Sequence, residues 1–147
     1  MIYSIAFNIH VYISAITLLA GLTTLGLAIH GWRTNRNFGR KDSVSSLVFS
    51  IGLYFQLILG FMIYFTLRTS LEGAVWDVPD TENDASLRFW AIEHIALMIL
   101  ALFLTQLGRL FIKRSSKSIL KFKASLFYNS ASMLLILFSL SIALIFR

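Results

Sequence analysis

Apolar residues gather in four long stretches, Ile2 to Gly31, Val44 to Leu67, Phe89 to Ile112 and Ala124 to Phe146, parted by polar runs. At about 1.5 Å of rise per residue, a helix over any of them reaches across a hydrocarbon layer of roughly 30 Å. The pattern predicts helices over about 2–31, 44–67, 87–112 and 124–146, together forming one domain over 1–147. Polar and small residues recur within each stretch at helical spacing. Helix one carries His10, Ser14, Thr17, Gly21, Thr24 and Ala28, and helix two Ser45, Gly52, Gln56, Gly60 and Tyr64. Helix three carries His94, Met98, Ala101, Thr105 and Gly108, and helix four Ser125, Asn129, Ser132, Ser139 and Ala143. In lipid there is little hydrophobic drive between helices, so such stripes mark the packed faces. Four helices with one inward stripe each predict an all-α fold, an integral membrane four-helix bundle running up-down-up-down.

Composition sharpens this picture. The chain is 57% hydrophobic with one proline in 147 residues, as expected of a protein whose solvent is lipid. The first stretch has no lysine or arginine before it and no clean small-x-small cleavage site, so it reads as a retained helix rather than a secretory signal. There is no cysteine, which excludes disulfides, thiolate metal sites and covalent c-type haem attachment. The net charge of +6 is concentrated in two runs. Arg33, Arg36, Arg40 and Lys41 follow helix one, while Arg109, Lys113, Arg114, Lys117, Lys121 and Lys123 surround the third connection. The second connection carries Glu72, Asp77, Asp80, Glu82 and Asp84 instead. By the positive-inside rule the basic connections are cytoplasmic, and both termini and the acidic loop lie outside. The basic excess is therefore a topology signal, and nucleic acid is excluded as a partner. The acidic loop, with Trp76 and Pro79 in it, reads as a lid, a dock for a basic partner or a solvated connection.

The candidate chemistry lies in helix three, where Arg88-Phe-Trp-Ala-Ile-Glu93-His94 sets a carboxylate and an imidazole within the first turns. Ionisable groups in a membrane helix are costly and face a bundle interior, a ligand or a water-filled cavity. Helices one and three both start outside, so His10 and His94 each fall about two turns below the outer surface. Counting inward from Arg68 and Arg147 brings Gly60 and Ser139 to the same layer. Helices one and three are diagonal neighbours in such a bundle. Two imidazoles facing across a diagonal, with a glycine leaving room for a flat macrocycle, point to a bis-histidine b-type haem site. His10 and His94 would be the ligands and Gly60 the gap. Arg88 is the candidate partner for the anionic propionates, and Glu93 a group that orients a ligand or couples a proton. Two other readings use the same residues: histidines that only hydrogen-bond between helices, and a bare metal held by His10, His94 and Glu93. Gln56, near mid-membrane, requires a hydrogen-bond partner on another helix.

The helix-three motif, the stretch Gln56-Leu-Ile-Leu-Gly60-Phe-Met-Ile-Tyr64-Phe and the early histidine of helix one resemble a family of small bacterial four-helix membrane proteins labelled cytochrome b. The resemblance covers most of the chain, and its specific part is the helix-three motif. It implies a bound haem. The chain departs from the family at Tyr54, where many members carry a histidine, and at Asn8-Ile-His10-Val-Tyr12, which lacks an Arg-Trp pair. The expectation is a b-type haem protein for electron transfer near the outer face of the bacterial cytoplasmic membrane, alone or as a respiratory-complex subunit, with quinol as a candidate donor. That is an electron carrier or accessory subunit rather than a stand-alone enzyme. The alternatives are a cofactor-free scaffold subunit and a small transporter or proton relay using Glu93-His94.

Overall fold

A computed structural model describes residues 2–70 and 89–145, with side chains described for 5–65, 89 and 92–142. The described residues are helical apart from two short connections. Helix α1 spans Ile2–Arg33 and α2 Arg40–Ser70; a π-helical turn, Phe89–Glu93, leads into α3, His94–Arg114, and α4 spans Ser118–Ile145. All four helices are long and apolar enough to cross a membrane.

Two helix starts differ from the expected ones. α2 begins at Arg40 rather than Val44, and α4 at Ser118 rather than Ala124, which leaves three residues between α3 and α4. Hydrophobicity marks only the part of a helix that suits lipid, whereas the backbone keeps its hydrogen bonds for as long as its ends are satisfied. At α2 the Asp42 carboxylate accepts the Gly39 N–H at 2.9 Å, reaching back from the third helical position. Arg40, Lys41, Lys121 and Lys123 therefore project from helical turns rather than from loops. α1 ends where Asn35 turns left-handed at φ 52°, a conformation that asparagine tolerates better than most residues. α3 ends as Ser115 becomes extended, its N–H and Oγ both donating to the Phe111 carbonyl. At the other end of α2, Thr69 and Ser70, expected in the second connection, are helical.

Contacts fix the topology. On α1 and α2, Ser14 meets Gln56, Gly52 backs Thr17, and Thr24 meets Ser45, an antiparallel register. α1 and α4 run antiparallel as well, with Gly21 against Met133 and Gly31 against Phe122. So do α3 and α4, with Gly108 against Tyr128, Thr105 against Ser132 and His94 against Ser139. α2 also touches α3, so α1 and α3 are parallel and diagonal, and the chain runs up-down-up-down. The middle of the bundle is a dry core of Phe49, Leu53, Ala101, Leu102, Met133 and Ile136. Large apolar side chains also cover the outside, among them Tyr12, Leu19, Phe55, Phe103, Phe127 and Leu134. Helices apolar on every face suit a lipid solvent.

Four glycines allow the close approach. A Cβ on Gly21 would sit 2.5 Å from Met133 Sδ, and one on Gly52 2.5 Å from Thr17 Oγ1. A Cβ on Gly108 would lie 2.7 Å from Tyr128 Cβ, and Gly31 has the Phe122 ring directly on its Cα. The Phe122 ring is clasped again from the first connection. Phe38 lies against it at 5.1 Å between centroids, and the Arg36 guanidinium stands 4.9 Å over its face. Arg36 also binds the buried Asp42 through two bonds, Nη1–Oδ2 at 2.7 Å and Nη2–Oδ1 at 2.6 Å. The hydrogen bonds from Asp42 raise the Arg36 guanidinium above its ordinary value, with burial opposing them. The Phe38 N–H donates to Ser118 Oγ at 3.1 Å, tying the connection to the start of α4.

Candidate functional site

The antiparallel register carries four residues to one layer at the end of the bundle opposite the Arg36–Asp42 pair. His10 of α1 and His94 of α3 face one another across the diagonal with ring centroids 6.4 Å apart and planes inclined at 71°. Ser139 of α4 holds His94, its Oγ 2.7 Å from Nδ1. On the α2 side, a Cβ added to Gly60 would lie 4.0 Å from His10 Cε1 and, among the described residues, within 4 Å of no other side chain. Gly60 therefore differs from the glycines of the packed seams, because the space left by its missing side chain is not filled by a neighbour's knob. These are the four residues that depth counting brings together from the sequence.

The layer beneath supports His10 through its backbone. Gln56, buried on α2, donates its Nε2–H to the His10 carbonyl at 3.0 Å and accepts from Ser14 Oγ at 3.0 Å. Ser14 also reaches the His10 carbonyl, at 2.8 Å. Gln56 thus finds the interhelical partner its depth requires, and that partner is the turn that carries the histidine. The His10 ring is less well provided, for its Nδ1 is buried with no hydrogen-bond partner among the described residues. A buried polar atom left unpaired carries a desolvation penalty of about 1–3 kcal/mol.

The π-helical turn delivers His94. Its i→i+5 winding is wider than an α turn, and such turns often occur at functional sites. Phe89, at its start, is buried, and Glu93, at its end, is half-buried immediately before His94. Within the helix expected over about 87–112, Phe89–Glu93 wind as a π turn and the regular α-helix begins at His94. Among the described residues no three His, Asp or Glu side chains converge to hold a metal ion, so His10, His94 and Glu93 do not form a three-ligand set. Arg88 and Arg147 lie outside the described residues, as do the side chain of Arg68 and the acidic connection with Trp76 and Pro79. His30, one turn from the first connection, is exposed.

The histidine pair admits a simple metric test. An imidazole nitrogen binds a metal ion at about 2.0–2.1 Å, which places the ring centroid about 3 Å from the metal, so two axial imidazoles have centroids about 6 Å apart. The observed 6.4 Å fits that spacing. Ser139 Oγ on Nδ1 fixes the orientation of the His94 ring, as a partner on one ring nitrogen does. The open space beside Gly60 lies against the His10 ring. The residue types and the ring spacing are compatible with a group held between the two histidines.

Depth counting did not assign Ser139 its bond to His94, nor did it pair Gln56 with the His10 carbonyl or Arg36 with Asp42. The last had a signal in the sequence, because Asp42 is the only carboxylate near either basic run. No protein family, curated protein or solved structure matches this chain.

Proposed function

We propose that the protein is a multi-pass membrane protein of the bacterial cytoplasmic membrane that binds one b-type haem between His10 and His94 and takes part in electron transfer. The observation that carries this reading is the diagonal histidine pair, spaced at 6.4 Å and held on one side by Ser139. The resemblance of the helix-three motif to proteins labelled cytochrome b supports it, as does the room at Gly60. Charge places the histidine layer near the outer face: the basic runs at the Arg36 and Lys117 connections stay inside, and both termini lie outside.

When bound, the haem supplies one-electron redox chemistry, and the protein supplies ligation, orientation and electrostatics. His10 and His94 present one ring nitrogen each. Ser139 fixes the His94 ring, and Gln56 with Ser14 anchors the α1 turn that carries His10. Glu93 is the proton-coupling group beside the site, and Arg88 the cation proposed for the propionates. The electron donor would be quinol or a partner subunit of a respiratory assembly.

A cofactor-free scaffold is the second reading. The ring geometry that favours it is the 71° inclination, since an edge-to-face aromatic pair at 6.4 Å also falls within the usual contact range. Visible spectra of the purified protein, oxidised and dithionite-reduced, separate the two. Sharp b-type bands that vanish in both His10→Ala and His94→Ala support ligation by this pair. A folded, colourless protein from haem-replete cells sinks it.

A further inference from the structure

Below the dry core, towards the basic connections, lies a second polar layer that the histidine site does not use. Thr24 bonds Ser45 at 2.8 Å, and Thr105 bonds Ser132 at 2.8 Å. Four buried polar atoms at about this depth have no hydrogen-bond partner among the described residues: Ser46 Oγ, Gln106 Nε2, Arg109 Nη1 and Asn129 Oδ1. The register places them together. At about one depth, Ser46 follows Ser45 on α2, Gln106 and Arg109 each follow a residue of the α3 seam set by Thr105 and Gly108, on the same side of it, and Asn129 follows Tyr128, which packs on Gly108. Ser46 and Asn129 are almost fully buried, at 3% and 1% exposure.

Three of the four orphans are donors, and one belongs to a guanidinium, a group that carries its charge in any protein setting. Among the described residues Asp42 is the only carboxylate near this end of the bundle, and Arg36 already engages it. A cation whose N–H is dry and lacks a carboxylate requires an anion or another acceptor. Asn129 can join the donors. Turning its amide over keeps the 3.0 Å bond to Ser125, which then donates, and presents Nδ2–H to the same space.

We propose that this layer binds a phosphate-class anion, with Arg109, Gln106, Ser46 and Asn129 as its donors. Arginine pairs with phosphate oxygens through its planar fork. Arg109 stands five residues before the end of α3, about 7–8 Å along its axis, so either inorganic phosphate or the phosphate of an inner-leaflet lipid meets the chemistry. The site is independent of the histidine layer, from which Phe49, Leu53, Leu102 and Ile136 separate it.

The test uses the full chain, delipidated in neutral detergent and, in parallel, in nanodiscs of phosphatidylcholine with or without phosphatidylglycerol. Thermal unfolding is followed as inorganic phosphate replaces gluconate at constant ionic strength. A saturable rise of a few degrees with inorganic phosphate, lost in Arg109→Gln and kept in the surface control Lys117→Gln, identifies a free anion. The same pattern with phosphatidylglycerol alone identifies a lipid phosphate. If Arg109→Gln fails to fold, Gln106→Leu decides by a midpoint weakened about tenfold, the effect of one lost charge-assisted bond. No rise from either source, or an equal rise in the variants, overturns the proposal and leaves ordered water as the occupant.

Discussion

Ser139→Ala is the substitution on which the histidine reading turns. It removes the Oγ that lies 2.7 Å from His94 Nδ1 and changes little else, because Ser139 is fully buried and the replacement is nearly isosteric. Were His94 only a packing residue, the loss would be that of one buried hydrogen bond, about 1–3 kcal/mol of fold stability, with no effect on any ligand. For a haem ligand the same bond fixes the ring and raises the basicity of the nitrogen facing the metal. Losing a partner of that kind weakens binding about 10–100-fold, equivalent to about 1.4–2.7 kcal/mol. The assay is a haem titration of the apoprotein followed by absorbance, run beside a thermal melt. The expected outcome for Ser139→Ala is reduced-state bands at saturation and a binding midpoint at least about tenfold weaker than that of the parent. An unchanged midpoint together with a lowered melting temperature would refute the reasoning, because Ser139 would then be stabilising the bundle and not the ligand.

Gly31→Ala forces a methyl group into the Phe122 ring, which Phe38 and Arg36 already hold in place, and should cost about 1–3 kcal/mol in a denaturation series. Gly26→Ala is its control: nothing lies within 4 Å of the added Cβ, so the variant should match or exceed the parent's stability by up to about 1 kcal/mol. Gln56→Leu removes the bonds to the His10 carbonyl and Ser14 and should cost about 0.6–1.7 kcal/mol, with shifted or broadened haem bands as the α1 turn loosens. Arg36→Ala leaves a buried carboxylate alone and should lower the melting temperature, and adding Asp42→Asn should recover part of the loss. No recovery on adding Asp42→Asn, or no loss at all in Arg36→Ala, would show that the pair is not coupled.

How much was legible in the sequence depended on which physical constraint acted. Helix number followed from apolar length, since a run such as Ala124 to Phe146 has few other uses. The histidine layer followed from depth, because counting from charged ends places His10, Gly60, His94 and Ser139 at one level whatever their rotamers. Helix starts were not legible. Arg40, Lys41, Lys121 and Lys123 look like loop residues to a hydropathy argument, yet each extends a helix beyond its apolar part. The Arg36–Asp42 pair is not legible to a charge count, in which Arg36 enters only as a topology charge and Asp42 does not enter, although together they close a six-residue connection. Of the four orphans only Asn129 lies in a small-residue stripe, while Ser46, Gln106 and Arg109 each sit one position after a stripe residue. Only the finding that their neighbours pair while they do not separates them.

The π-helical turn before His94 acts on phase. Five α-helical steps back from His94 would rotate position 89 by about 500°, leaving it about 140° away from the histidine's face. Winding those residues as a π turn absorbs roughly one position, about 100°, and brings Phe89 to within about 40° of that face, consistent with its burial at 6% exposure. Arg88-Phe-Trp-Ala-Ile-Glu93 is therefore one residue longer than a regular helix would need. Deleting a single residue between Phe89 and Glu93 would straighten the helix without changing the side on which Phe89 enters. The aromatic entrance and the imidazole below it are set to the bundle axis separately, and the added residue is what permits this.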